Sequence, residues 1–213
     1  MQITPELLPR MIKAIADTIE QNADEVTALD QAIGDGDHVT NLQRGIEAVK
    51  AKTDELSQLD WAAALQKIGM TLLTTMGGAS GSLFGTLFIS MSKAAAGQPL
   101  NLQTFAVVFS GGVEAVKKRG KAQAGEKTML DVLIPVAETL QQAAAESAPL
   151  PELLDSVSRT AIAGMESTRD MVATKGRASF LEERSKGHID AGAKTSQLMI
   201  CAIADVVKEV ARQ

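Results

Sequence analysis

Apolar residues recur at intervals of three and four along almost the whole chain, as Leu7, Leu8, Met11, Ile15 and Ile19 do at its start, and no segment alternates with period two. That spacing gives each segment one apolar stripe and leaves nothing to pair into a sheet, so the chain must bury itself helix against helix. The expected fold class is all-α, with one domain over residues 1–213, a length sufficient for a sizeable core. Aromatic residues are only 3% and Tyr is absent, so that core has to be Ala, Leu, Ile, Val and Met.

Start and stop signals divide the chain into about eight helices: Thr4 to Ala28, Asn41 to Lys52, Asp60 to Met76, Ser80 to Ala96, Asn101 to Arg119, Met129 to Glu146, Pro151 to Thr174 and Ala193 to Ala211. Asp60 and Asn101 are suited to N-cap their helices, and Pro151 stands where a missing amide costs little. The connections fall into two kinds. Those after the second, fourth and sixth helices, "TDELSQL", "AAGQPL" and "ESAPLP", are plain polar or Pro-containing turns. Those after the first, third, fifth and seventh, "LDQAIGDGDHVT", "MGGASG", "RGKAQAGEKT" and "KGRASFLEERSKGHIDAGAKT", are rich in Gly, Asp, Ser, Lys, Arg and His. In an up-and-down bundle or barrel alternate connections lie at one end, so the four unusual loops should meet in one composite site.

A net charge of −5 and a pI near 5.1 argue against a nucleic-acid surface, which needs a clustered basic face. Cys201 lies in an apolar stretch, has no second cysteine to pair with, and reads as a small buried hydrophobe. The N-terminal residues carry scattered charges, unlike a signal peptide, and the uncharged run at 68–92 has Gly and Ser at its centre, unlike a membrane helix. No membrane association and a cytoplasmic location are therefore expected.

The first unusual loop carries Asp30, Asp35 and Asp37 around Gly34 and Gly36. Asp35 and Asp37, two apart, point to one side of an extended segment, and Asp30 can fold back to meet them. Hard oxygen donors without Cys or paired His suit Mg²⁺, or else Mn²⁺ or Ca²⁺, rather than zinc. An EF-hand fails, because Asn41 and Ile46 stand where a Glu would have to close the loop. An Asp-Gly-Asp alone reads more readily as a solvated turn; its companion loops tilt it towards metal completed by the phosphates of a nucleotide.

In "MGGASGSLFGTL", Gly77, Gly81 and Gly85 keep one helical stripe bare, which serves either a tight helix crossing or close approach to a ligand. Ser80 at a helix start, with Gly78 in the turn, tilts the reading towards a phosphate. "GKAQAGEKT" is not a P-loop, since Glu126 stands where the motif needs Lys and no strand precedes it. Lys127 and Thr128 there fit a second phosphate or ribose contact and a simple capped turn equally well. The last loop holds Lys175, Arg177, Arg184 and His188 with Asp190, a mixture able to cover an anion. Arg177 is the choice for a transferring phosphoryl group, its planar fork matching phosphate, while Arg184 is expected to pair with a surface Glu. A Ser80, His188, Asp190 hydrolase triad is disfavoured, because "GASGS" is not a nucleophile elbow.

Four stretches taken together, "IGDGDH.TN..RG" at 33–45, "GGASG" with "LFGT" at 77–86, "RGKA..GEKTMLDV" at 119–132 and "KGRASFLEERSKGHIDAGA" at 175–193, resemble the nucleotide-binding L subunit of phosphotransferase-system-dependent dihydroxyacetone kinase. The resemblance implies an antiparallel barrel of eight helices with ADP or ATP and two Mg²⁺ at one end. It implies that Asp30, Asp35 and Asp37 hold the metals, and that His38, Thr40 and Asn41 lie along the phosphates with Ala79 and Ser80. Gly120, Thr128 and Met129 would lie near the adenosine, and Arg177, Asp190, Ala191 and Gly192 in the closing loop. It further implies a dihydroxyacetone-binding kinase subunit and a phosphohistidine donor subunit as partners, and leaves a homodimer open. Val39, Glu126, Glu182 and Ala191 depart from the residues usual there, namely Gly, Asp, Gly and Pro. A β-branched Val39 is expected to alter the glycine-rich turn, and the changes in the last loop, Glu182 and Ala191, to alter the lid or partner choice.

Overall fold

The computed structural model describes residues 4–212. Its α-helices are α1 (Leu8–Gln21), α2 (Ala23–Ile33), α3 (His38–Lys50), the single turn α4 (Thr53–Leu56), α5 (Trp61–Thr75), α6 (Gly78–Ala95), α7 (Leu102–Gly120), α8 (Leu130–Glu146), α9 (Leu150–Ser167) and α10 (Ala191–Ala211). Short 3₁₀ segments occupy Pro5–Leu7, Thr168–Asp170 and Arg177–Ser185, and no strand occurs among the described residues. The all-α expectation holds.

Eight helices pack in a closed ring: α1 against α3, α3 against α5, then α6, α7, α8, α9 and α10 in sequence, with α10 returning to α1. Each contributes the stripe its spacing foretold, among them Ile19, Leu42, Leu65, Leu87, Val113, Val132, Val157 and Leu198, all buried in one continuous core. Helix α2 takes no stave of the barrel; it lies against α10, α3 and α1 and adds Val26 to the core. Asp60 accepts the Ala63 amide at 2.8 Å, and Asn101 with Thr104 forms a capping box, so both expected N-caps are present.

Two boundaries differ most from expectation, and α3 starts at His38, three residues before the expected Asn41. The first helix breaks at Asn22, whose side-chain amide donates to the Thr18 carbonyl at 2.8 Å and competes with the backbone ladder, and a second helix then runs on past Ala28 to Ile33. The seventh stops at Ser167 instead of Thr174, where the Ser167 and Thr168 hydroxyls both turn back to carbonyls, those of Gly164 and Met165. The uncharged run at 68–92 is divided between α5 and α6, and no helix among the described residues is long and apolar enough to cross a membrane.

The glycine stripe serves helix crossing. A Cβ on Gly69 would lie 2.9 Å from the Ile89 backbone nitrogen and 3.0 Å from the Gly85 carbonyl oxygen, and one on Gly81 would overlap the Met76 carbonyl. Helices α5 and α6 therefore meet backbone to backbone. Gly69→Ala should force them apart and lower the unfolding free energy by about 1–3 kcal/mol; a denaturant midpoint equal to that of the unmodified chain would contradict so close a crossing.

Candidate functional site

Helix α2 ends at Ile33 and α3 starts at His38, leaving only residues 34–37 between them. Asp30 lies in the last turn of α2, and its Oδ2 accepts the His38 amide at 3.1 Å, so one helix caps the next. The turn needs its glycines: a Cβ on Gly34 would overlap Asp30 Oδ1, and Gly36 has φ +76°. Folded this way, Asp30, Asp35 and Asp37 each offer a carboxylate oxygen, all within 4.8 Å of one another; Asp30 is half-buried and the other two are exposed. An all-carboxylate set on one open side fits a Mg²⁺ that keeps positions for water and phosphate.

Helix α6 begins beside this turn. Its N-cap, Gly77, supplies no side-chain acceptor, so the first amides are left for an anion, and Ala79 is exposed there. Ser80 Oγ lies 3.1 Å from His38 Nδ1, and His38 Nε2 lies 2.9 Å from Thr195 Oγ1 on α10. Burial lowers the His38 pKa, against the pull of Asp30, Asp37 and Asp35, which leaves a neutral ring able to bridge two hydroxyls. Thus the His38 ring braces α3 to α6 and α10, and its amide is already engaged by Asp30. Asn41 is buried against Gly77 and accepts from Arg44 Nη1 at 3.2 Å, whereas Thr40 is exposed.

The two remaining unusual loops join on the same end. Asp131 accepts the amides of Gly125 at 2.5 Å and Thr128 at 2.8 Å, fixing the turn into α8. Met129 is buried, and a Cβ on Gly192 would lie 3.7 Å from its Cβ, so the start of α10 abuts the start of α8. Gly120 ends α7 near Leu83 of α6. Asp190 N-caps α10 through the Ala193 amide at 2.8 Å. Burial pushes its carboxyl up to about 6, against the Ala193 amide and Lys127 and reinforced by Asp131 and Asp30. From residue 168 to 190 the chain forms a lid, and Arg177 Nε reaches Asp35 Oδ2 at 2.9 Å. With the Arg177 side chain 72% exposed, that pair contributes under about 1 kcal/mol and is readily exchanged for a phosphate.

Several expectations are corrected. Lys127 is not offered to a phosphate: it is 1% exposed, and its ammonium donates to the carbonyls of Thr168 and His188. Lys175 pairs with Glu126 at 3.3 Å, and Arg184 makes no ion pair with a Glu among the described residues. Ser80 bonds to His38 and not to His188, which removes the hydrolase triad. Val39 stands outside the glycine turn, in the first turn of α3, with its side chain buried in the core. Ala191 is the first residue of α10, the helical position where Pro is best tolerated. Sequence reasoning passed over Asp131 and Thr195; Thr128 and Asp131 at capping-box spacing were the available signal for the first, and Thr195 gave none.

One end of the helical barrel gathers three carboxylates, an uncapped helix N-terminus and a reaching arginine, groups whose chemistry suits a metal ion and a phosphate. Residues 32–205 match the DAK2 domain. The chain is 40% identical over 194 residues to the ADP-binding subunit DhaL of PEP-dependent dihydroxyacetone kinase 1 of Listeria innocua, covering 91% of this chain and 92% of that protein. It is 39% identical over 210 residues to the ADP-binding subunit DhaL of the PEP-dependent dihydroxyacetone kinase of Escherichia coli, covering 98% and 100%. The crystal structure of the dihydroxyacetone kinase of C. freundii with AMP-PNP and Mg²⁺ superposes with a TM-score of 0.72 at 23% identity, over 96% of this chain and 34% of that one. The chain belongs to the DAK2 family of ADP-binding dihydroxyacetone kinase subunits.

Two outcomes test the lid. A carboxyl whose folded pKa of about 6 exceeds its ordinary 3.8 binds its proton more tightly in the native state, so its contribution to stability falls as pH rises through about 4 to 6. Asp190→Asn keeps the cap and removes the titration, and should gain stability relative to the parent chain over that interval; parallel thermal-melt profiles would refute the shift. Glu182 has φ +50° and ψ −128°, a region that favours Gly. Relief of about 1–3 kcal/mol of strain, less about 0.5–1 for the entropy of glycine, predicts that Glu182→Gly raises Tm by about 3 °C; an unchanged or lower Tm in calorimetry would count against strain there.

Proposed function

We propose that the chain holds Mg²⁺-ADP/ATP at this end of the barrel and passes the terminal phosphoryl group to dihydroxyacetone held on a partner kinase subunit. The ADP is rephosphorylated in place by the phosphohistidine donor subunit of the phosphotransferase system, in the cytoplasm. The observation that carries the reading is the convergence of Asp30, Asp35 and Asp37 within 4.8 Å with Arg177 reaching across from the lid.

Asp30, Asp35 and Asp37 would hold the metal, two ions sharing the three carboxylates. When bound, Mg²⁺ draws charge from the phosphate oxygens. The first amides of α6 at Ala79 and Ser80 take a phosphate by the ordinary attraction of a helix N-terminus, with Thr40, Asn41 and the α3 start beside His38 flanking it. His38 contributes by holding Ser80 in place. Gly120, Thr128 and Met129 line the adenosine end among aliphatic and Met side chains, and Asp190, Ala191 and Gly192 close over it. Arg177 leaves Asp35 for the transferring group, whose spreading charge its fork stabilises. No described side chain need take a covalent phosphate; the work is positioning and charge.

Denaturing the purified protein should release ADP or ATP, and calorimetry should show Mg²⁺-dependent nucleotide binding that Asp35→Ala removes. Retained affinity in that variant would refute its ligand role, and no nucleotide binding by the parent chain would sink the reading. Arg177→Ala should leave nucleotide affinity within a few-fold while phosphoryl transfer to dihydroxyacetone, assayed with the two partner subunits, falls by about 10³. Transfer sustained by freely exchanging ATP without the phosphohistidine donor would instead mark an ATP-dependent kinase subunit.

A further inference from the structure

Phosphoryl transfer leaves unused the adjacent pair Glu126 and Lys127, whose side chains grip the lid at different points. Lys127, buried and with φ +60°, donates to the Thr168 carbonyl at 2.5 Å and to that of His188, the residues where the lid leaves α9 and returns towards α10. Two further bonds close this neck: the Gly187 amide to the Arg169 carbonyl at 2.8 Å and the Asp190 amide to Thr168 Oγ1 at 3.0 Å. Glu126 accepts from Thr174 Oγ1 at 2.9 Å and pairs with Lys175, two residues before Arg177. The turn that carries both is itself pinned by Asp131 and runs directly into Thr128 and Met129.

We infer that Glu126 and Lys127 form a positioning element that couples nucleotide in the 120–129 loop to the placement of Arg177 over the acidic turn. The inference rests on the nucleotide reading above. An ammonium shared by the buried Thr168 carbonyl and the half-buried His188 carbonyl holds a long loop closed at its neck, because without it both acceptors and Asp190 lose their cation and must recruit water. Glu126 then sets the register of the stretch leading to Arg177. A nucleotide that orders the turn at Thr128 and Met129 thereby orders the arginine at the far end of the site, and neither side chain has to touch a phosphate.

Glu126→Gln and Lys127→Met test this by the rate of trypsin cleavage after Arg177, with and without Mg²⁺-ADP, beside calorimetric affinity and transfer kinetics. In the parent chain Mg²⁺-ADP should slow that cleavage about tenfold, and in both variants protection should drop below about twofold. Nucleotide affinity should move no more than about threefold, while kcat falls about ten- to a hundredfold at unchanged KM for the acceptor, the split expected when an arginine is misplaced only in the transition state. Should Lys127→Met fail to fold, Glu126→Gln alone decides, since it keeps the buried ammonium and an oxygen for the Gln123 amide that Glu126 accepts at 2.6 Å, and removes the ion pair with Lys175. Parental protection and kcat in Glu126→Gln would overturn the coupling. A parent chain that binds no Mg²⁺-ADP would overturn the nucleotide reading instead.

Discussion

The bond from the His38 amide to the Asp30 carboxylate sets the geometry on which the acidic end depends. It ends one helix and begins the next within four residues, which is only possible where Gly34 admits the carboxylate against the backbone. Because α3 starts there, the His38 ring falls between Ser80 on α6 and Thr195 on α10, and three staves of the barrel are tied at one level. The same carboxylate is then held beside Asp35 and Asp37. Local capping and the three-carboxylate cluster thus share one residue, and the cap it makes sets where the bracing His38 ring begins.

Charges at this end sort into fixed and exchangeable ones by burial. Lys127 is held below its usual pKa by burial, yet it is surrounded by Asp190, Asp170 and Asp131 and has two carbonyls to donate to. Breaking such a buried arrangement costs several kcal/mol, about 3–5 when one partner is removed. Arg177, by contrast, stands in solvent with one carboxylate partner, where an ion pair is screened and weak. The proposed exchange of Arg177 from its own aspartate to an incoming phosphate draws on that difference: a stiff neck and a loose tip.

Most of the fold was legible because one periodicity runs through all eight staves, and Asp60 and Asn101 announced their caps by residue type. The break at Asn22 was not, since "EQNADEV" reads as good helix until the side chain of Asn22 reaches the Thr18 carbonyl. Within the site the convergence of the three aspartates was legible from their spacing. Lys127 stayed undecided because a lysine at a helix start looks the same in sequence whether it faces a phosphate or turns inward; only its left-handed backbone and burial separate the two. The glycine stripe was equally double, and Gly69 on the facing helix, unremarked in the sequence, decides it for helix crossing.

The four odd loops converge although the chain has more helical segments than staves, and the reason is physical. Two extra helical pieces, α2 and α4, interrupt the expected order, and either would reverse the alternation if it spanned the barrel. Neither does: α4 is a single turn against α1, and α2 packs across α10 and α3 while its last turn points Asp30 at the acidic end. Alternation is a property of staves, set by which helices bury a stripe on both neighbours, and so it counts packed neighbours and not helical segments. A kink such as that at Asn22 changes the number of helices without changing the number of staves, which is why the end-to-end logic of the loops remained intact.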